Sequence, residues 1–230
     1  LLGIMSLLKA WRTTVWEIDC TKDGDNNGFG TWPEDILARS LCLLALDRFG
    51  DFSGATADIS SSIMVASERV SSGGVTAPIR ELCGQLVSIV WRMATLGVQK
   101  STFDWINRLL DTATDWETQH GALHALKYMV AVVMLDKESK HLSVETKEWH
   151  KSFLESCGTI AGTFLRHSSQ DVVAVAAQIL CEIPVIAARK KSIFVALWVA
   201  VKEIDLLSAA VIDLLMLLSL CVQSNATECL

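Results

Sequence analysis

The sequence predicts an all-α protein, an α-solenoid of about four helical hairpins. The 230 residues are 51% apolar and include only 3 prolines and 13 glycines, which is typical of long helices joined by few tight turns. Apolar residues recur every three or four positions, and the sustained period-two alternation of strands is absent. Similar helical pairs also follow one another, and a pair that cannot bury both of its apolar stripes alone needs stacked neighbours.

The clearest hairpin runs from Gly97 to Leu135. Its first half places apolar residues at 98, 102/103, 105/106 and 109/110, and a polar corner follows at 111–115. The second half combines a stripe of large apolar residues with small residues that let another helix come close. Asp115 is predicted to be the N-cap of this second helix, because its carboxylate can accept the free N–H groups of the first turn.

The other hairpins are predicted on both sides of this one. Their helices are expected at 36–49 with 76–91, 144–166 with 170–187, and 190–203 with 205–222. The Gly-, Asn- and Ser-rich stretches 17–31 and 53–74 are predicted to be loops or insertions. Because the chain opens at Leu1 within a helical pattern, we expect residues 1–230 to be a single array and a fragment of a larger protein.

Composition restricts the partner and the compartment. A net charge of −6 argues against a dedicated nucleic-acid binder and favours a basic partner. The seven cysteines are scattered without a Cys-x-x-Cys pair, and several have apolar neighbours, which favours a reducing, intracellular compartment. The apolar run 206–222 is interrupted by Asp213 and preceded by charged residues, so it is predicted to be a core helix and not a membrane span.

The second helices share a pattern of a corner acid, an apolar residue, a pair of small residues and an apolar stripe. The pattern occurs as Asp115-Trp116…Gly121-Ala122, Asp171-Val172…Ala176-Ala177 and Asp205-Leu206…Ala209-Ala210. It resembles the HEAT repeat, whose hairpins stack into a curved rod. The basic residue that is usual near the start of such helices is present as Arg80 but replaced by Gln119 and Val173.

Three stretches are more specific than a generic HEAT pattern. They are Trp32–Phe52 with its ending Ala-Leu-Asp-Arg-Phe-Gly-Asp-Phe, Val75–Cys83 with Ala-Pro-Ile-Arg-Glu, and Trp116–Gly121 with Trp-Glu-Thr-Gln-His-Gly. Together they resemble the N-terminal HEAT region of the TATA-binding-protein-associated, Swi/Snf-type ATPases. The resemblance continues through Asp171–Ala177 and covers nearly the whole chain in order. It departs from the family at 53–74, where a shorter link is expected.

The resemblance implies a nuclear protein whose HEAT rod holds the TATA-binding protein while a C-terminal ATPase removes that protein from promoter DNA. The sequence contains no Gly-x-x-x-x-Gly-Lys-Ser/Thr loop, so this segment is predicted to be the non-catalytic binding part. No cofactor is expected in it, since ATP belongs to the absent motor domain. We expect a monomer that meets DNA only indirectly and does not contact a membrane.

The corners of the hairpins are the candidate partner-binding site, because corner loops in solenoids line one edge of the rod. The predicted binding residues are Thr114, Asp115, Trp116, Glu117, Ser169, Gln170, Asp171, Glu203 and Asp205. An acid at each successive corner and the net negative charge predict a ridge that meets a basic surface. We call this set of residues the acidic corner ridge. Trp116 is the tryptophan most expected to face the partner.

Other functions are compatible with the sequence. A HEAT scaffold of another system, such as a transport receptor or a phosphatase subunit, would share the same fold. Residues Asp23 to Glu34 also fit the calcium-loop pattern D-x-[DN]-x-[DN]-G-x5-E, with Asp23, Asp25, Asn27 and Glu34 as ligands, although a flexible acidic linker explains them too. His120 and His124 have metal-ligand spacing but lack a third ligand, and no orienting group accompanies Cys157 with His150 and His167.

Overall fold

The computed structural model describes residues 78–136, 142–208 and 210–228. These residues form eight helices and no strand, which confirms the predicted all-α class. In chain order the helices are α1 (Pro78–Met93), α2 (Leu96–Thr112), α3 (Trp116–Asp136), α4 (Val144–Phe164), α5 (Gln170–Glu182), α6 (Pro184–Arg189), α7 (Lys191–Glu203) and α8 (Ala210–Glu228). The predicted helix at 36–49 and the predicted loops at 17–31 and 53–74 lie outside the described residues.

The helices stack in two layers. Helices α1, α3, α5 and α8 lie side by side in that order, while α2, α4 and α7 cover them from one side. The successive hairpins α2–α3, α4–α5 and α7–α8 therefore repeat one arrangement, and α1 extends the first layer by one helix. This is the α-solenoid that the sequence predicts. None of the described helices combines the length and apolar character that a bilayer span requires.

Short polar side chains set the starts of three helices. Asp115 Oδ2 accepts a hydrogen bond of 2.8 Å from the backbone N–H of Thr118, which confirms the predicted N-cap of α3. Thr95 and Ser143 cap α2 and α4 in the same way, through bonds from the N–H groups three residues later. Each corner side chain thereby satisfies a backbone donor that the helix leaves free.

Helices α1 and α3 approach each other more closely than an ordinary side chain allows. A Cβ atom placed on Gly84 would lie 2.9 Å from the backbone oxygen of His124. Polar contacts join the same two helices: Gln85 Nε2 donates to the Tyr128 hydroxyl at 3.1 Å, and Arg92 pairs with Asp136. Asp136, one residue beyond the predicted end of the hairpin, is therefore buried at the end of α3.

An apolar core runs continuously through the stack. The side chains of Leu123, Leu126 and Met129 in α3 are fully buried, as are those of Ile179 and Leu180 in α5. An aromatic cluster joins α1 to α4 and α2: the Phe153 ring centroid lies 5.3 Å from that of Trp91 and 4.9 Å from that of Phe103. Such pairs add stability beyond the area they bury.

Two predicted helix boundaries are wrong. The helix expected over 170–187 is broken, because α5 ends at Glu182 and Pro184 opens the separate helix α6. Proline lacks an N–H group, and its ring clashes with the carbonyl four residues earlier. The last helix begins at Ala210 and not at Asp205, since residues 205–208 form a turn in which the N–H of Ser208 bonds to the Asp205 carbonyl at 2.9 Å.

Candidate protein-binding site

The three corners lie along one edge of the described stack. Helices α3 and α5 are neighbours, as are α5 and α8, and each follows its corner as the second helix of a hairpin. A direct bond joins the last two corners, since Ser208 Oγ donates to Gln170 Oε1 at 3.1 Å. The structure thus brings the predicted corner residues into one row.

The first corner, between α2 and α3, is partly engaged within the protein. Thr114 is exposed, whereas Asp115, Trp116 and Glu117 are half-buried. The Trp116 ring, predicted to face a partner, lies under the guanidinium of Arg80, whose carbon is 5.5 Å from the ring centroid. The Trp116 ring is therefore engaged in an intramolecular cation–π contact.

The second corner, between α4 and α5, is more open. Gln170 is exposed, and Ser169 and Asp171 are half-buried. The backbone N–H of Ser169 donates to His167 Nδ1 at 3.0 Å, which fixes the loop that leads into α5. Asp171 lies in the first turn of α5, where its negative charge is favoured by the positive end of the helix.

The third corner, between α7 and α8, is the most exposed. Glu203 and Asp205 are both exposed, and Asp205 Oδ1 accepts a bond of 3.0 Å from the N–H of Leu207. Leu206 and Leu207 follow at the tip and are 83% and 94% exposed. Sequence reasoning missed these leucines because it placed them in the buried face of a helix. The signal for a turn was the pair Asp205 and Ser208, since both residue types favour turns over helix interiors.

A buried polar cluster stands behind the first corner. Arg80 is fully buried, and its Nη1 donates to His120 Nδ1 at 3.0 Å. The rings of His120 and His124 meet edge to face with centroids 4.5 Å apart. Burial, and then the charge of Arg80, lowers the pKa of His120 to about 3, and burial also lowers the pKa of His124 well below its ordinary value.

These contacts favour the structural interpretation of the two histidines over metal binding. A guanidinium beside His120 repels a cation, and its hydrogen bond occupies the Nδ1 lone pair. Across the described part of the chain, no group of three or more His, Cys, Asp or Glu side chains could hold a metal ion. The candidate calcium ligands Asp23, Asp25, Asn27 and Glu34 lie outside the described residues.

The residues weighed as a nucleophile and bases are placed as follows. Cys157 is fully buried in α4, and burial raises the pKa of its thiol well above the ordinary value. A thiol attacks as the thiolate, so this environment disfavours nucleophilic chemistry at Cys157. His167 uses its Nδ1 to accept the N–H of Ser169 at the second corner.

Comparison with known proteins finds relatives of one kind. TATA-binding protein-associated factor 172 of Homo sapiens is 36% identical over 132 residues, which are 56% of this chain and 6% of the human protein. TATA-binding protein-associated factor BTAF1 of Arabidopsis thaliana is 29% identical over 195 residues, or 81% of this chain and 8% of that protein. TATA-binding protein-associated factor mot1 of Aspergillus fumigatus is 32% identical over 118 residues, or 47% of this chain and 5% of that protein.

The chain therefore spans less than a tenth of the length of these relatives. No protein-family model matches it, and no solved structure matches it.

Proposed function

We propose that this chain is a HEAT-type scaffold segment that binds the TATA-binding protein. The premise is that the chain belongs to the family of TATA-binding-protein-associated factors. The segment itself is non-catalytic and carries no cofactor. It acts in the nucleus, in transcription regulation, as part of a longer Swi/Snf-type ATPase that removes the TATA-binding protein from promoter DNA. It is monomeric and meets DNA only through its partner.

The observation that carries this proposal is the row of corners along one edge of the stack. Acids stand at each corner, with Asp115 and Glu117 at the first, Asp171 at the second, and Glu203 and Asp205 at the third. The Ser208–Gln170 bond holds the second and third corners together as one surface. A row of like charges on a rigid scaffold attracts a basic protein surface and orients it before contact.

The corners differ in what they offer a partner. Asp115 uses its carboxylate to cap α3, and Trp116 is covered by Arg80, so the first corner has fewer groups available for binding. Glu203 and Asp205 are both exposed, so a partner can reach their carboxylates. We therefore place the main contact at the second and third corners, with the first corner contributing charge.

The test is calorimetric titration of the whole chain with purified TATA-binding protein at several salt concentrations. The ridge variant carries Asp171→Asn, Glu203→Gln and Asp205→Asn. Asparagine and glutamine remove the charge, and asparagine also keeps an oxygen that can accept the turn bond now made by Asp205. We expect the ridge variant to bind at least about tenfold more weakly, with a flatter salt dependence, because exposed charges act mainly through screened attraction.

A control variant carries Glu145→Gln, Glu148→Gln and Glu182→Gln, which remove the same charge at the ends of α4 and α5 that lie away from the corners. It should bind like the unmodified chain. Equal binding by the ridge variant and the unmodified chain would move the contact away from the corners. A folded chain that does not bind the TATA-binding protein would contradict the proposed function itself.

A further inference from the structure

We infer that Leu206 and Leu207 form an apolar anchor at the third corner, which is one end of the acidic corner ridge. The anchor docks into an apolar pocket bordered by basic side chains on the surface of the TATA-binding protein. This inference rests on the proposed function and names the contact that the ridge makes. It assigns to the third corner the apolar part of an interface whose charged part comes from the neighbouring acids.

The exposure of the two leucines is the first observation. Leu206 is 83% and Leu207 is 94% exposed, which makes Leu207 the most exposed of the large apolar side chains in the described residues. Both stand at the tip of a corner, at the edge of the stack. Most apolar groups at a protein surface are scattered singly, whereas two adjacent leucines on a projecting turn offer a compact surface for burial.

The turn that carries the leucines is held in one conformation by its own hydrogen bonds. Asp205 Oδ1 accepts the N–H of Leu207 at 3.0 Å, and the Asp205 carbonyl accepts the N–H of Ser208 at 2.9 Å. Ser208 Oγ accepts the N–H of Ala210 at 3.2 Å and donates to Gln170 on the next corner. Because the backbone is already ordered, binding loses little conformational entropy there.

The charges around the anchor define the chemistry of the partner. Glu203 and Asp205 immediately precede the anchor in the chain, and Asp171 lies on the adjoining corner. Two basic residues are close in sequence to the second and third corners: Lys202 in the last turn of α7, whose Nζ lies 5.7 Å from the Trp198 ring centroid, and the exposed Arg166 just after α4. An apolar centre with a charged rim is the usual anatomy of a protein interface, and the acidic rim calls for a basic border on the partner.

A second apolar surface on the same hairpin provides a contrast. Ile212 and Leu215 on α8 are 76% and 52% exposed, at helical spacing from each other. They lie on the side of α8, Ile212 in its first turn and Leu215 in its second, and both come after the turn that carries the two leucines. Asp213, between them, bonds to Gln178 of α5 and therefore faces the stack. This surface is a matched control for the anchor.

The test compares two double variants of the whole chain in titrations with purified TATA-binding protein. The anchor variant carries Leu206→Gln and Leu207→Gln, and the control variant carries Ile212→Gln and Leu215→Gln. Circular dichroism must first show the same helicity and Tm for all three proteins, as expected for exposed positions. We expect the anchor variant to raise Kd at least about tenfold with an unchanged salt dependence, because the lost contact is apolar. The control variant should stay within about twofold.

The outcomes separate the inference from the proposed function. If the unmodified chain binds and the anchor variant binds equally well, the anchor is wrong and the proposed function stands. The anchor is also wrong if only the control variant loses affinity. If sedimentation shows that the anchor substitutions convert a dimer of the chain to a monomer while binding to the TATA-binding protein is unchanged, the leucines contact a second copy. If the unmodified chain is folded and does not bind the TATA-binding protein, both the inference and the proposed function are wrong.

Discussion

Helices α3 and α8 are both rich in apolar residues, yet they are buried in opposite ways. Helix α3 buries even its polar residues His120, His124 and Asp136. Helix α8 leaves the large apolar side chains of Ile212 and Leu215 exposed. The composition of a helix therefore does not decide how much of it is buried.

The difference comes from the neighbours of each helix. Helix α3 lies between α1 and α5 and is also contacted by α2 and α4. Helix α8 contacts α5, α6 and α7, and among the described residues nothing lies on its far side. In a solenoid each unit is stabilised mainly by the units beside it, so position in the stack governs burial.

The largest expected effect comes from removing the same kind of side chain from each helix. Leu126→Ala in α3 should lower the free energy of unfolding by about 2–5 kcal/mol, because it leaves a cavity in a fully buried site. Leu215→Ala in α8 should change it by less than about 0.5 kcal/mol, since that side chain is half exposed. Urea unfolding followed by circular dichroism measures both. Equal losses would show that α8 is covered in solution.

The next effect tests the close approach of α1 to α3. Gly84→Ala should destabilise the protein by about 1–3 kcal/mol, because the added Cβ meets the backbone of His124 at 2.9 Å and backbone cannot move aside cheaply. The control is Gly97→Ala in the first turn of α2, where a Cβ would meet nothing within 4 Å. That change should stabilise the protein by about 0.5 kcal/mol, because alanine favours helix. A neutral Gly84→Ala variant would contradict the close packing of these helices.

The smallest expected effect is a dependence of stability on pH that originates in α3. The pKa of His120 is about 3 in the folded protein and near 6.5 when unfolded, so the unfolded chain binds more protons between these values. The contribution of His120 to the free energy of unfolding is therefore fully present above about pH 6.5 and is lost as the pH falls toward 3. Between pH 7 and pH 5 the titration of His120 should lower the free energy of unfolding by up to about 2 kcal/mol.

His120→Gln tests this origin. Glutamine keeps a carbonyl that can accept from Arg80 but does not titrate, so the decrease in the free energy of unfolding from pH 7 to pH 5 should become smaller. Urea titrations of both proteins at the two pH values measure it. The same decrease in both proteins would show that the pH dependence originates in other groups.

Local pattern was enough to predict the central hairpin. The spacing of apolar residues and Asp115 as the N-cap of α3 are both confirmed by the structure. The break before Pro184 was also predictable, because a proline inside a helical pattern ends or kinks the helix. The apolar period that continues on both sides of Pro184 instead predicts one uninterrupted helix.

Contacts between distant residues could not be predicted from local pattern. Arg80 and Trp116 are far apart in sequence, and their cation–π contact exists only because α1 packs against α3. For the same reason the sequence predicted that Trp116 faces a partner, and it ended the hairpin at Leu135, one residue before the buried Asp136. In both positions the partner side chain comes from α1, which no spacing within α3 reveals.

Hydrogen exchange of the whole chain with and without the TATA-binding protein tests the central claim most directly. We expect slower exchange for backbone amides at 168–171 and 203–208, with a smaller effect at 114–117, because the corners form the proposed contact. Amides at 142–148 and 182–190, at the other ends of the hairpins, should exchange at unchanged rates. Protection at those other ends or along α8, with unchanged exchange at the corners, would contradict the account.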